Sequence, residues 1–222
     1  MLIELYDIRK QYTDNSKPVL DGITLKIAEG DTVAIVGPSG SGKSTLLNLL
    51  GTLDYPTGGE VFLDRKSTSE LTSEELDKIR NQKIGFVFQT HLLLPQLTVL
   101  ENVLLPVLPM GKEEQKQARQ RAMSLLDTVG LSDKINSFPG RMSVGECQRV
   151  AVVRSLINEP ELLLTDEPTG SLDQDSADKL CDMLVNLQKQ YSFTLIVVTH
   201  APALARRMKT TYRLVNGKIS VN

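Results

Sequence analysis

The chain has 222 residues, enough for one large domain or a domain carrying a subdomain. Hydrophobic residues make up 41% and charged residues 23%, so a real core can sit under a solvated surface, and a net charge of −2 offers no global basic field for nucleic acid. The two cysteines, Cys147 and Cys181, exclude a disulfide framework and read as packing residues in a reducing compartment. No apolar run is long enough to span a bilayer, and residues 1–7 lack the basic-then-apolar layout of a signal peptide. The expectation is a cytoplasmic protein that serves any membrane by docking onto another chain.

In chain order, residues 2–36 read as short strand-like pieces. Leu20, Ile23, Leu25 and Ile27 partly follow a period of two, with a turn signal at Asp21-Gly22. Thr32-Val33-Ala34-Ile35-Val36 reads as a buried strand. It runs into Gly37-Pro38-Ser39-Gly40-Ser41-Gly42-Lys43-Ser44, which fits the pattern G-x-x-x-x-G-K-[ST] at every fixed position, and residues 44–50 read as the helix that should follow. Glycines there let successive backbone N–H groups converge on phosphate oxygens, and the positive end of the helix faces the same anion. Lys43 adds a mobile charge for the outer phosphates, and the Ser44 hydroxyl suits magnesium.

Residues 60–64 and 84–88 look like further strands, and Thr72-Ser73-Glu74-Glu75 opens a short helix between them. Thr98 with Glu101 fits a capping box. Over residues 112–129, Ala118, Ala122, Leu125, Leu126 and Val129 share one helical face. Residues 98–141 thus read as a helical subdomain inserted between two halves of an α/β core. Residues 161–165 form a strand, 175–190 a helix and 194–198 a strand, so the sheet should be mostly parallel.

The apolar run Leu162-Leu163-Leu164-Thr165 ends in Asp166-Glu167. Ligands of open α/β sheets gather at the carboxyl ends of strands, so both acids should arrive beside the phosphate loop. Asp166 suits a magnesium shell, and Glu167 suits orienting and deprotonating an attacking water. The long stretch between Lys43 and Asp166 argues against a compact nucleotide kinase or small GTPase.

Residues Met142-Ser143-Val144-Gly145-Glu146, followed by a helix, resemble the signature segment of ABC transporter ATPases, whose core pattern is L-S-G-G-Q or L-S-G-G-E. Met142 replaces the leucine and Val144 a glycine. The other family motifs stand in order along the whole chain. The resemblance implies that Tyr12 stacks on adenine, that Gln89 reaches magnesium and water, that Ser171-Leu172-Asp173 crosses a dimer interface and that His200 contacts the terminal phosphate. It implies catalytic roles for Glu167, His200 and Gln89, and magnesium ligation by Ser44, Gln89 and Asp166. Nucleotide contacts fall to Tyr12, residues 37–44, Thr45, Ser143, Gly145 and Glu146. Taken by itself, Ser143 is an N-cap, and Tyr12 could be plain packing. Valine resists unusual backbone angles, so Val144 is expected to weaken closure of a composite site without abolishing it.

The fold this implies is a P-loop NTPase core with a mostly parallel sheet, an N-terminal antiparallel β subdomain and an inserted helical subdomain. One domain would span residues 1–222, with the core at 1–90 and 160–222 and the helical part at about 91–159. The activity implied is magnesium-dependent ATP hydrolysis by a head-to-tail homodimer, in which one chain's phosphate loop meets the other's Ser143. Integral-membrane permease subunits would dock near Gln89–Pro95, where Leu92, Leu93 and Leu94 form an apolar run in a loop; inward packing is the alternative. The location implied is peripheral, on the cytoplasmic face of the inner membrane, with no nucleic acid partner. Residues 80–89, 93–103 and 199–205 resemble the branch with lipoprotein-releasing ATPases and macrolide or antimicrobial-peptide exporters. Lipoprotein release is the first expectation. Export or the cell-division homologue is the alternative within the branch, and a soluble non-transport ATPase the alternative class.

Overall fold

The computed structural model describes residues 3–13 and 17–221; Leu2 and residues 14–16 of the first strand-like segment lie outside the described residues. The elements run β1 (Ile3–Lys10), β2 (Leu20–Ile27), β3 (Thr32–Val36), α1 (Lys43–Leu50), β4 (Gly58–Leu63), β5 (Lys66–Ser67), α2 (Ser73–Lys83), β6 (Ile84–Val87) and α3 (Val99–Leu104). They continue with α4 (Lys112–Thr128), α5 (Val144–Leu156), β7 (Leu162–Asp166), α6 (Gln174–Tyr191), β8 (Thr194–Val198), α7 (Pro202–Ala205), β9 (Thr210–Val215) and β10 (Lys218–Val221). One sheet is antiparallel, in the order β2-β1-β4-β5. The second has the order β10-β9-β3-β8-β7-β6 and is parallel except for the β10 edge.

The central strands are apolar on both faces, as a parallel sheet covered on both sides requires. Alternation along each strand divides their side chains between two cores. Val33, Ile35, Leu162, Leu164, Ile196 and Val198 face α1 and the antiparallel sheet. Ala34, Leu163, Leu195 and Val197 face the side covered by α5 and α6. On α1, Leu46, Leu47, Leu49 and Leu50 are all buried, each contributing about 1.5–3 kcal/mol of hydrophobic stabilisation. That anchorage fixes the helix start against the end of β3, where the phosphate loop has to sit.

Asp21-Gly22 does not turn the chain. Both residues lie inside β2, where Gly22 takes φ 76°. Ile8 pairs with Ile23 and Arg9 with Asp21, so Gly22 is the extra residue of a bulge. A second irregularity between Leu5 and Ile8 on β1 offsets it. The bulge is why Leu20, Ile23, Leu25 and Ile27 break the period of two yet are all buried.

Helix starts follow the sequence expectation closely. Thr72 and Thr98 each accept a hydrogen bond from the N–H three residues on, while Glu75 and Glu101 reach back to the capping N–H. The three leucines after Gln89 divide instead of acting together. Leu93 packs into the core at 7% exposure, whereas Leu92 and Leu94 stand out at 56% and 40%. Of the three leucines expected to act together, only two are exposed, because the left-handed backbone at Leu92 (φ 49°) turns that side chain outward and lets Leu93 enter the core.

Candidate active site

The carboxyl ends of β3, β7 and β8 lie side by side, since β8 pairs with both neighbours in parallel register. The chain leaves each strand at the same edge and builds one cleft there, of about 690 Å³. Its lining includes Gly37, Pro38, Ser39, Gly40, Gly42, Lys43, Ser44 and Thr45 from the phosphate loop and α1, with Tyr12, Gln89, Asp166, Glu167 and His200 around them. Ser41 is the loop residue that does not line it; its Oγ is buried beneath the loop. Val19 lines the cleft too, and nothing in its sequence context marks it.

Gly42 caps α1 with φ 100°, a conformation that favours glycine, and no side chain caps the helix. The first N–H groups of α1 therefore keep their capacity to bind an anion. The Lys43 ammonium donates to the carbonyls of Gly37 and Pro38, both at 3.0 Å, which holds the charge on the loop.

Asp166 ends β7. Burial pushes its carboxyl above the ordinary value; the Ser44 hydroxyl draws it down, the Glu167 carboxylate adds to the rise and Lys43 opposes it. Its Oδ1 is buried with no hydrogen-bond partner. An unpartnered buried carboxylate oxygen beside a serine hydroxyl fits a hard divalent cation. Among the described residues no group of three or more His, Cys, Asp or Glu could hold a metal alone, but magnesium on phosphates needs only one or two carboxylates.

Glu167 follows with φ 47°, and its N–H donates to the Val198 carbonyl at 2.9 Å. A non-glycine residue in this left-handed region is strained by about 1–3 kcal/mol. The backbone bond to β8 holds that strain and aims the carboxylate into the cleft. There, Glu167 Oε2 lies 2.8 Å from His200 Nδ1 and accepts from the His200 backbone N–H at 3.0 Å. His200 follows β8 and is well exposed, so its ring can move while its backbone stays anchored. Gln89, two residues past β6, is tied through its own carbonyl, which accepts from the Ser171 hydroxyl at 3.2 Å.

Tyr12 enters from the antiparallel sheet and is 59% exposed. Lys10 Nζ lies 4.9 Å from its ring centroid, and the phenol reaches Asp54 Oδ2 at 3.3 Å and Thr45 Oγ1 at 3.4 Å. Lys10 is itself buried and pairs with Asp54 at 2.6 Å. Burial alone would raise the Asp54 carboxyl, but Lys10 and the Tyr55 N–H outweigh it and hold it below its usual value. The Lys10–Asp54 pair fixes the position of Tyr12 at the cleft edge; only the folded chain brings these distant residues together.

Ser143, Gly145 and Glu146 do not line this cleft. They form the start of α5, where Ser143 accepts from the Glu146 N–H at 3.2 Å and its own N–H donates to Glu146 Oε2 at 2.8 Å. Val144 is 50% exposed and is the first residue of the helix, so no unusual backbone angle is needed there. The cost expected for valine is therefore its bulk at the helix start, since its backbone is ordinary. A β-carbon on Gly145 would sit 3.4 Å from Ser176 Oγ, and Asp173 caps the neighbouring α6 by accepting from the Ser176 N–H. The start of α5 thus packs beside the first turn of α6, while Ser171, just before α6, bonds Gln89 at the cleft.

Residues 20–170 match the ABC transporter family. The chain is 47% identical over 202 residues to the lipoprotein-releasing system ATP-binding protein LolD 1 of Chlorobium chlorochromatii, covering 91% of this chain and 82% of that one. It is 45% identical over 221 residues to LolD of Saccharophagus degradans, covering 99% and 96%. The fold is similar to a dimeric post-hydrolysis state of the ATP-binding cassette MJ0796 bound to ADP and Pi, with TM-score 0.86, 41% identity and coverage of 98% and 96%. The chain belongs to the ABC transporter family, and within it to the subunits that bind and hydrolyse ATP.

Proposed function

We propose that this chain powers a separate membrane subunit in releasing lipoproteins from the inner membrane, working as a head-to-tail homodimer. The observation that carries the catalytic part is the Glu167–His200 pair at the mouth of a cleft floored by the phosphate loop. The two relatives named above bear the lipoprotein-releasing name, which supports release over peptide or drug export. Among the described residues no helix is long and apolar enough to cross a membrane, so the pathway would belong to another chain and this one would sit on the cytoplasmic face. Residues 1–222 form one domain in this reading, with a core of 1–90 and 160–222 and a helical part of about 91–159.

In this reading Tyr12 stacks on the base, and the N–H groups of residues 37–45 with Lys43 hold the phosphates. Ser44, Asp166 and Gln89 would hold magnesium, which when bound neutralises charge developing on the phosphate oxygens. Glu167 takes the proton of the attacking water, and His200, hydrogen-bonded to that carboxylate, keeps it aimed and lies near the terminal phosphate. Positioning and charge supply most of the rate, so the site gains most when a second copy closes Ser143 and Gly145 over the cleft. Glu146 would contribute by setting the Ser143 rotamer. The docking surface for the membrane subunit is the Gln89–Pro95 loop with its exposed Leu92 and Leu94.

The test is gel filtration of Glu167→Gln with ATP and magnesium. It is expected to elute as a dimer that reverts on nucleotide removal, with a cross-link between Ser143→Cys of one copy and the loop beside Lys43 of the other. A monomer under saturating ATP, even with membranes present, would overturn the composite-site reading.

A further inference from the structure

Residues 88–98 lie between β6 and α3 and have neither a strand nor a helix ladder to satisfy their backbone. Side chains supply many of the missing partners instead: besides the Ser171 hydroxyl on the Gln89 carbonyl, and His91 Nδ1, which accepts from the Leu93 N–H at 3.2 Å, three come from α5 and α3. Gln148 of α5 is fully buried and donates from Nε2 to the Phe88 carbonyl at 2.8 Å. Arg154, further along the same helix, donates Nη1 to the Leu92 carbonyl at 2.7 Å and Nη2 to the His91 carbonyl at 2.8 Å. From α3, the fully buried Asn102 accepts from the Leu94 N–H at 2.8 Å and donates to the Leu94 carbonyl at 3.1 Å.

Arg154 grips the loop where it is most strained. Leu92 has φ 49°, a left-handed conformation that a leucine adopts only when its surroundings hold it there. That conformation turns Leu92 outward beside Leu94 while Leu93 enters the core. A guanidinium fork suits two successive carbonyls, which a single ammonium cannot match. Keeping a charged group half-buried here is costly, so the fork is a poor choice if filling space were the only need.

We infer that Gln148 and Arg154 are positioning residues that lock the Gln89 loop to α5, so that the exposed Leu92–Leu94 shoulder and the Ser143 end of α5 move as one body. The inference rests on the roles proposed for Gln89 and Ser143 and names the side chains that join them. A push on the shoulder then reaches Ser143 through the helix, and a shift of Ser143 by a closing partner copy moves Gln89.

The experiment is pulsed-EPR distance measurement on the full chain, with spin labels at Val144→Cys and Leu94→Cys. Both positions are exposed, and the native Cys147 and Cys181 are buried. Arg154→Met is expected to broaden this distance distribution while a control pair, Val144→Cys with Met123→Cys, stays as narrow as in the unsubstituted chain. In the unlabelled Arg154→Met chain, kcat should fall about tenfold while KM for ATP stays within about twofold, since the placement of Gln89 is lost while the phosphate loop and Tyr12 are untouched. Arg154→Lys and Gln148→Leu should show smaller changes in the same direction, and they carry the test if Arg154→Met does not fold. An unchanged distribution, or a rise in KM at constant kcat, would overturn the inference. Absence of hydrolysis by the unsubstituted chain would count against the proposed function instead, because the distances need no turnover.

Discussion

The starts of α1 and α5 are built in opposite ways. The α1 start has a glycine cap and no side-chain partner for its first N–H groups. The α5 start is closed on itself by a complete capping box of Ser143 and Glu146. In this, α5 is built like α2 and α3, whose boxes only end a helix cleanly. What separates the cases is what remains for a ligand. At α1 the unsatisfied donors point into a cleft lined by residues of one chain. At α5 the N–H groups of Ser143 and Glu146 are already engaged, and a carboxylate stands where a phosphate would approach. The Ser143 hydroxyl also interacts with the Glu146 carboxylate, so it has to leave that partner before it can donate to a phosphate. A helix start becomes a strong anion site when its own chain withholds a cap, and a conditional one when it does not.

The α1 side is broken most sharply at Glu167. Glu167→Gln should lower turnover by about 10²–10⁴-fold while nucleotide binding persists; phosphate release and equilibrium nucleotide binding measure the two. A normal rate would remove Glu167 from the role of base. Tyr12→Ala comes next. Loss of base stacking is worth about 1–3 kcal/mol, so the Kd for ATP should rise by about fivefold to 150-fold, with kcat little changed. An unaltered Kd would return Tyr12 to plain packing.

The α5 side responds more gently. Val144→Gly removes a side chain that stands exposed at the helix start, and should raise the ATPase rate of the assembled complex a few-fold. Glycine also weakens the helix by up to about 1 kcal/mol, which limits the gain. A lower or equal rate would mean that valine is no obstacle.

The smallest effect is expected at Glu146. The Ser143 N–H first, against some burial, then the Ser143 side chain and more distant Lys134 and Arg149, hold its carboxyl below the ordinary value. A lowered folded-state pKa stabilises the fold above the unfolded-state value of about 4.3 and loses that contribution as pH falls through the folded value. The unsubstituted chain should therefore lose stability relative to Glu146→Gln on going from pH 6 to pH 3, by less than about 1 kcal/mol after screening. Urea midpoints at the two pH values would read it, and parallel midpoints would show that the box carries no charge.

What could be read from residues alone was local chemistry. A G-x-x-x-x-G-K-[ST] run, a strand ending in Asp166-Glu167, and Thr or Ser three residues before Glu each specify their neighbourhood through backbone geometry and reach of only a few atoms. The residues that escaped notice act across the fold. Lys10 and Asp54 fix Tyr12 from positions far apart in the chain. Val19 carries no mark of the cleft it lines. Gly22 carries a turn's composition but forms a bulge, because the pairing partner across the sheet decides whether an extra residue reverses the chain or only kinks it. Arg154 and Asn102 look like ordinary helix residues until the loop they hold is folded against them.

Sequence by itself specified a phosphate loop and the carboxylate pair that folds beside it, since such loops are written in short runs whose spacing survives any packing. Only the tertiary structure decided that Ser143 stands away from the phosphate loop, that Leu93 turns inward between two exposed leucines, and that α5 grips the Gln89 loop. These depend on which surfaces bury against which. Burial is a property of the whole sheet and its covering helices, so no stretch of neighbouring residues contains it.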